Sequence, residues 1–359
     1  MEQKNKLAQV FHFDLYGKRH EKYNFLLENN LQSIPWTELN PETPQYFFVN
    51  KNFDNKEEYE EGFSVQILFP INSVGIVTAR DNFTIHFTKE QAINVINEFL
   101  SLDNETARKR FELGEDVRDW SVSGARKDLT SNFNFDKIVK INYRPFDIRY
   151  TYFTGTTKGF HCMPRGKFMK HFIQRDNLGL VISKRNRQIS TGYIFVTNKI
   201  TDFHILDNAQ DSTSVFLLYL YPEANNLFGD KKRKPNLNPT IVEKIAQKLG
   251  LIFTEEKENN NDTFAPIDLL DYIYAVLHSP SYRKRYKEFL KIDFPRIPYP
   301  ENAEQFNKLA VLGEQLRHLH LMENITVPNN FANFPKSGNN NIQGIAGQAR
   351  NDGLMMVWI

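Results

Sequence analysis

Cysteine is nearly missing from this chain: Cys162 stands alone among 359 residues. A single thiol forms no internal disulfide and leaves no cysteine cluster for zinc, so the composition fits a reducing compartment, with the cytoplasm as the expected location. No apolar run approaches the roughly 20 residues that span a bilayer, and the first residues are polar with no apolar signal core behind them. Neither secretion nor a membrane partner is expected. Gly-x-Gly occurs nowhere, which removes the glycine-rich turn that lets backbone approach S-adenosylmethionine. The Asn/Asp-Pro-Pro-aromatic loop that holds a flipped base is missing too. Asn40-Pro41-Glu42 and Asn238-Pro239-Thr240 lack its second proline and its ring. No Gly-x-x-x-x-Gly-Lys-Ser/Thr phosphate loop and no His-Glu-x-x-His is present, which excludes the commonest nucleotide hydrolases and zinc proteases. His318 and His320 stand two apart on a predicted helix and point to different faces, so they read as solvated side chains rather than metal ligands.

What is present is ordinary in bulk and uneven in distribution. Apolar residues make up 40% and charged residues 25%, and thirty Phe and fifteen Tyr provide bulk for packed interiors, which excludes global disorder. The length allows more than one core. Net charge is only +2, yet twelve basic residues lie between Lys140 and Lys199, opposed by Asp147 and Asp176 alone. A basic concentration of this kind inside a nearly neutral chain is the footprint of a polyanion partner.

Periodicity divides the chain into segments. Val10 to Tyr16 reads as a strand and Lys18 to Glu28 as a helix, resembling the end of an α/β domain. A strand is predicted at Tyr46 to Val49. Ser73 to Ala79 and Phe83 to Phe87 read as a hairpin about Arg80-Asp81-Asn82. Thr88 stands at an N-cap with Gln91 three residues on, opening a helix whose stripe is Ile93, Ile96, Phe99 and Leu100. Further helices are expected over Glu105 to Phe111 and Val117 to Leu129. Five strands follow, at Ile138 to Tyr143, Ile148 to Phe153, Leu178 to Ser183, Tyr193 to Thr197 and Val215 to Tyr221, with a helix from Pro164 to Gln174 among them. Beyond a basic linker, apolar spacing near 3.6 residues predicts helices over Pro239 to Leu249, Pro266 to His278, Tyr282 to Leu290 and Ala303 to Glu323. Asn324 to Ile359 is rich in Asn and Gly without period and reads as a disordered tail, its last sixteen residues having the texture of out-of-frame translation.

Several segments together resemble the region downstream of the methyltransferase core in type ISP and related adenine-specific DNA methyltransferases. They are Phe11-His12-Phe13-Asp14-Leu15-Tyr16-Gly17-Lys18-Arg19, Asn72-Ser73-Val74-Gly75-Ile76-Val77-Thr78-Ala79-Arg80-Asp81, Tyr143-Arg144-Pro145-Phe146-Asp147-Ile148-Arg149 and Gly159-Phe160-His161-Cys162-Met163-Pro164-Arg165. The likeness continues through Asp268 to His278 and Asp293 to Pro300, covering roughly residues 8 to 323 and leaving the tail outside. It implies recognition of an asymmetric double-stranded DNA sequence by the specificity part of a restriction-modification enzyme. The S-adenosylmethionine cofactor and adenine N6 transfer would belong to an upstream half absent from this chain.

The expected fold is accordingly α/β (mixed α+β). Residues 1–44 are read as the end of a methyltransferase domain, 45–135 as a connecting α/β region, 136–230 as a mixed-sheet target-recognition domain, 231–323 as a helical subdomain and 324–359 as the tail. Arg144 and Arg149 flank a Pro-Phe-Asp turn and either grip phosphate or a guanine edge, or pair with Asp147 to fix the turn. Arg165, Lys167 and Lys170 follow Pro164 and suit phosphate at a helix start, with Lys158 nearby in the basic window. Lys184, Arg185, Asn186, Arg187 and Gln188 form a loop whose side chains suit base edges in the major groove. No catalytic or metal residue is expected. Two alternatives stay open: a subunit of a split methyltransferase active only with a partner polypeptide, and a fragment without binding function.

Overall fold

The computed structural model describes residues 8–43, 46–185, 194–206, 213–222 and 232–323. Its architecture is mixed α/β. A four-stranded antiparallel sheet runs in the order Asn72–Val74, Thr213–Leu217, Gly179–Ser183, Ile194–Thr197. Val181 stands opposite both Val215 and Phe195. The last three of these strands are buried along their whole length, which is why they read as unbroken apolar runs rather than as alternating ones.

Period-two geometry then sends successive side chains to opposite faces. Leu180, Ile182, Val196 and Phe216 pack with the helices Pro239–Leu249, Pro266–His278 and Ala303–His320. Val181, Phe195, Val215 and Leu217 pack on the other side with Ile141, Ile200, Phe168 and Met169. That second layer carries the hairpin Ile138–Arg144 and Asp147–Tyr152, extended in parallel by Ile200–Thr201. A third core gathers Phe83, Phe99, Trp120, Tyr152 and Phe160 under the helices Lys89–Ser101, Asn104–Arg110 and Val122–Ser131. The helical core draws residues from 59–69, 180–219 and 241–306, so it crosses the compositional segments at 136 and 231.

Local signals explain the helix ends. The Thr88 hydroxyl accepts from the Gln91 backbone amide, Ser121 from Gly124, and Asn238 from Thr240 and Ile241 ahead of Pro239. Gly250 closes the Pro239–Leu249 helix in a left-handed conformation, φ 66°. Where Pro266–His278 meets Ala303–His320, the buried Arg317 guanidinium makes two bonds to Asp271, at 2.7 and 3.0 Å. Gly313 lets the two backbones touch there: a Cβ on it would stand 1.9 Å from the Asp271 carbonyl oxygen.

Four expectations are overturned. Asn72–Val74 does not fold back on residues 83–87; it pairs with the distant Thr213–Leu217, while Ile76 and Val77 bridge to Asp202 and Met163. Ala79 turns the chain at φ 65° and Asp81–Thr84 is one helical turn, so long-range pairing prevails over the local hairpin. Tyr46 to Val49 forms no strand, and Phe47 joins a side-chain cluster with Phe53 and Phe289. Pro164 to Gln174 yields only the one-turn helix Gly166–Met169, and the stretch is bracketed by left-handed backbone at Arg165, φ 53°, and Gln174, φ 51°. His320 is not solvated: it stacks on Phe195 at 5.6 Å and meets Phe146, Tyr274 and His278. The N-terminal strand Val10–His12 pairs with Thr37–Leu39, and the Arg19–Glu28 helix beside it buries no residue fully. No helix among the described residues is long and apolar enough to cross a membrane.

Burial lowers the imidazole pKa of His161, His171 and His278 to about 4 each. These rings fold neutral, so their stabilisation is complete above the unfolded value near 6.5 and is lost as pH falls from there toward 4. For His161 alone a shift of this size corresponds to about 3 kcal/mol. The urea midpoint should therefore drop between pH 7 and pH 5; a flat midpoint would contradict the buried neutral rings. Gly313→Ala should lower the thermal midpoint by several degrees, since its methyl has no room beside the Asp271 backbone, whereas an unchanged melt would mean that the helices are not in contact there.

Candidate nucleic-acid interface

At the hairpin Tyr143 to Arg149 both arginines meet carboxylates of their own chain. Arg149 donates from Nε and Nη2 to both oxygens of Asp147, at 2.7 to 3.0 Å. Arg144 donates from Nη1 to Asp202 at 2.8 Å. Their guanidinium carbons stand 4.0 and 4.2 Å from the Tyr143 ring centre, so the ring contacts both cations. Arg149 also stands 4.4 Å from the centre of Phe87. The Tyr143 hydroxyl donates to Asp81 at 2.7 Å, and Asp81 also bonds Thr78. Burial first, and then that bond to a carboxylate, pushes the Tyr143 hydroxyl up to about 12. Arg144 and Arg149 thus brace the turn and tie it to residues 78–81.

Lys158, Arg165 and Lys167 lie on the chain that follows this hairpin. Lys158 pairs with Asp119 at 3.0 Å and donates to the Arg118 carbonyl at 3.1 Å. The Arg165 side chain has neither ion-pair nor hydrogen-bond partner among the described residues, and its Nε is buried without an acceptor. The helix-start argument made for Arg165, Lys167 and Lys170 does not hold, because Gly166–Met169 is too short to carry a useful dipole and Pro164 lies outside it. Lys167 is exposed, and Lys170 is half-buried.

Lys184 follows the Gly179–Ser183 strand, 3.5 Å from Asp293 and over the Phe294 ring. Arg185 is exposed. Asn186, Arg187 and Gln188 lie outside the described residues. Lys184 stands at the far end of that strand from Lys170 and Arg175, the latter over the Tyr221 ring at 5.0 Å. The basic window therefore separates into groups rather than one stripe. Arg233, from the linker, closes on Glu256 and lies 3.9 Å from the centre of Tyr219.

The group around Lys158 and Arg165 is the one that gains members from elsewhere. Arg80 donates to the carbonyls of Leu113 and Glu115 and lies 4.9 Å from the centre of Trp120. Burial raises the Cys162 thiol, and the Val77–Met163 bridge beside it brings the segment that carries Arg80 against the segment that carries Arg165. Arg118 adds a guanidinium whose side chain is 87% exposed, paired with Asp119 at 2.7 Å. The Asp119 carboxyl is held down to about 2, first by Arg118 and then by Lys158. Sequence reasoning missed Arg80 and Arg118 as members, since both stand far upstream of the basic window. The signal available was that Arg80 lies within one of the family-like segments, next to its last residue, Asp81.

Three solved structures share this fold. The cryoEM structure of a DrdV-DNA complex matches at 20% identity over 88% of this chain and 31% of that one, TM-score 0.63. The ATP-dependent Type ISP restriction-modification enzyme LlaBIII bound to DNA matches at 18% identity over 80% and 18%, TM-score 0.55. A nuclease-deletion mutant of the Type ISP restriction-modification enzyme LlaGI in complex with a DNA substrate mimic matches at 20% identity over 87% and 28%, TM-score 0.56. This chain thus spans less than a third of each. No curated protein matches it. A sequence model of the Type ISP C-terminal specificity domain matches residues 67–357. That span includes nearly all of the segment after Glu323, which the sequence reading had set outside the family.

The brace reading of Arg149 makes a distinct prediction. Arg149→Met should lower the thermal midpoint by leaving Asp147 unpaired and the Tyr143 ring uncovered, with affinity for duplex DNA nearly kept; the opposite pattern, an unchanged melt with lost DNA affinity, would return Arg149 to a direct contact. A brace of this kind serves the scaffold rather than any one target, and with most of its length matched, the chain belongs to the Type ISP C-terminal specificity domain family.

Proposed function

We propose that this chain binds double-stranded DNA and reads an asymmetric sequence in it, as the specificity part of an adenine-specific (N6) methyltransferase in a restriction-modification system. The observation that carries the reading is one group within the basic window, Lys158, Arg165 and Lys167, to which Asp119 joins Arg118 and the Val77–Met163 bridge brings the segment of Arg80. Family membership and a fold shared with proteins solved on DNA support it. Phosphate contacts supply most of the affinity of such a surface, while base edges supply the discrimination.

The chain's own residues do not fit S-adenosylmethionine, since no two glycines stand two apart to form its turn. That donor, which supplies the methyl group, belongs with a catalytic polypeptide that this specificity part serves. We place the work in the cytoplasm, where a lone buried cysteine stays reduced.

Repeated selection from a randomised duplex library should enrich one asymmetric site. Affinity should fall steeply with salt, by roughly 10³ to 10⁵ between 50 and 200 mM for six to ten phosphate contacts. Binding that enriches no sequence would remove the specificity reading. A chain that ignores duplex DNA at low salt would remove DNA binding altogether.

A further inference from the structure

The loop over residues 154–166 is held far more rigidly than a surface connection requires. Its two ends touch at glycines: a Cβ on Gly166 would stand 2.4 Å from the Gly155 carbonyl oxygen. From inside, the buried Asp128 carboxylate accepts bonds from the Thr154 hydroxyl at 2.7 Å and the Phe160 amide at 2.9 Å. Gly159 lies so close that a Cβ there would be 2.3 Å from the same carboxylate. The Trp120 indole donates to the Phe160 carbonyl at 3.2 Å, and His161 shares a hydrogen bond with the Thr151 hydroxyl at 2.7 Å. The Lys158 amide donates to the Cys162 carbonyl at 2.9 Å, closing the inner turn.

Two non-glycine residues of this loop adopt left-handed backbone, Lys158 at φ 59° and Arg165 at φ 53°. Both are basic. Such conformations are uncommon for residues with a side chain and persist where surrounding structure enforces them, a pattern that gathers at ligand clamps. Phe160, His161 and Cys162 are buried, so what the loop offers outward is Thr156, Thr157, Lys158 and the half-buried Arg165, with the exposed Lys167 just beyond its end. These side chains carry hydroxyl and cationic groups, with no Asn or Gln to read a base edge. Lys158 keeps its contacts to Asp119 and the Arg118 carbonyl, but the exposed Arg118 already balances Asp119. Among the described residues the Arg165 side chain has no acceptor and its Nε is buried unbonded, so the guanidinium is not committed to a carboxylate there and its outer edge is left for an outside group.

We propose that this loop is a preorganised clamp for the DNA backbone, in which Arg165 and Lys158 each hold a phosphate and neither reads sequence. The proposal rests on the DNA-binding reading above and assigns it a sequence-independent anchor. Fixing the cations before contact removes the ordering cost that mobile side chains bring to binding.

The test uses the full chain, an enriched duplex from the selection and a scrambled duplex of the same length, with affinities measured across a salt series. Arg165→Gln and Lys158→Gln should each weaken both duplexes by the same factor, about tenfold at low salt, and each flatten the log affinity against log salt slope by about one. The double variant should flatten it by about two. Arg165→Lys should keep the slope and lose part of the affinity, since an ammonium cannot make the bidentate contact. Should Arg165→Gln melt early, Arg165→Lys carries the comparison. A parent that binds with variants unaffected, or variants that weaken only the enriched duplex, would overturn the clamp and leave DNA binding standing. A parent that binds neither duplex overturns both.

Discussion

Everything in this fold is arranged about strands that are buried on both faces. Because Leu180 and Ile182 point one way and Val181 the other, Gly179–Ser183 belongs to two cores at once. One face holds the helices from Pro239 onward, and the other holds the hairpin with its arginines. A one-residue slip would exchange the two sets of contacts, so register here determines where the charged surface lies. The antiparallel pairings to Thr213–Leu217 and Ile194–Thr197 fix that register from both sides.

Charge in this protein is of two kinds, and only the structure separates them. Arg144, Arg149, Arg233 and Arg317 end on carboxylates within the chain and act as ties. Arg165, Lys167 and Arg185 have no such tie among the described residues, and Arg118 ends on Asp119 with its side chain 87% exposed. A tie to a poorly solvated carboxylate such as Asp202 or Asp271 cannot be released to a phosphate without leaving that carboxylate alone in a low-dielectric site. Counting positive side chains along a sequence therefore overstates what a polyanion can reach. The remedy is to ask, for each cation, which acceptor within the chain already holds it.

Much of the fold was legible from residues alone. The Thr88 cap, the 138–152 hairpin, the buried strand at Gly179–Ser183 and the helices from Pro239 and Pro266 follow from capping chemistry and apolar period, which act locally. What was not legible depends on distant partners. Asn72–Val74 has the composition of half a hairpin, yet its ladder lies with Thr213–Leu217. The helix after Pro164 looks long by periodicity, but the loop closed by Gly155 and Gly166 turns Arg165 left-handed and shortens it. The Tyr143 to Arg149 motif was visible, with two roles open, and only the fold shows that Asp202 and Asp147 are the carboxylates its arginines meet. Arg80 was quoted as part of a turn, and its approach to the segment carrying Arg165 came from the fold bringing residues 77 and 163 together.

The bridge between Val77 and Met163 has a bearing on how such a protein diversifies. It couples the chain carrying Arg80 to the chain carrying Arg165 by backbone bonds alone, with the Val77 and Met163 amides and carbonyls exchanging them at 2.9 and 3.0 Å. Main-chain bonds are indifferent to side-chain identity, so mutation at neighbouring surface positions leaves this seam unaltered. New side chains can therefore be set on the outer face of either segment while the seam that aligns the two stays in place.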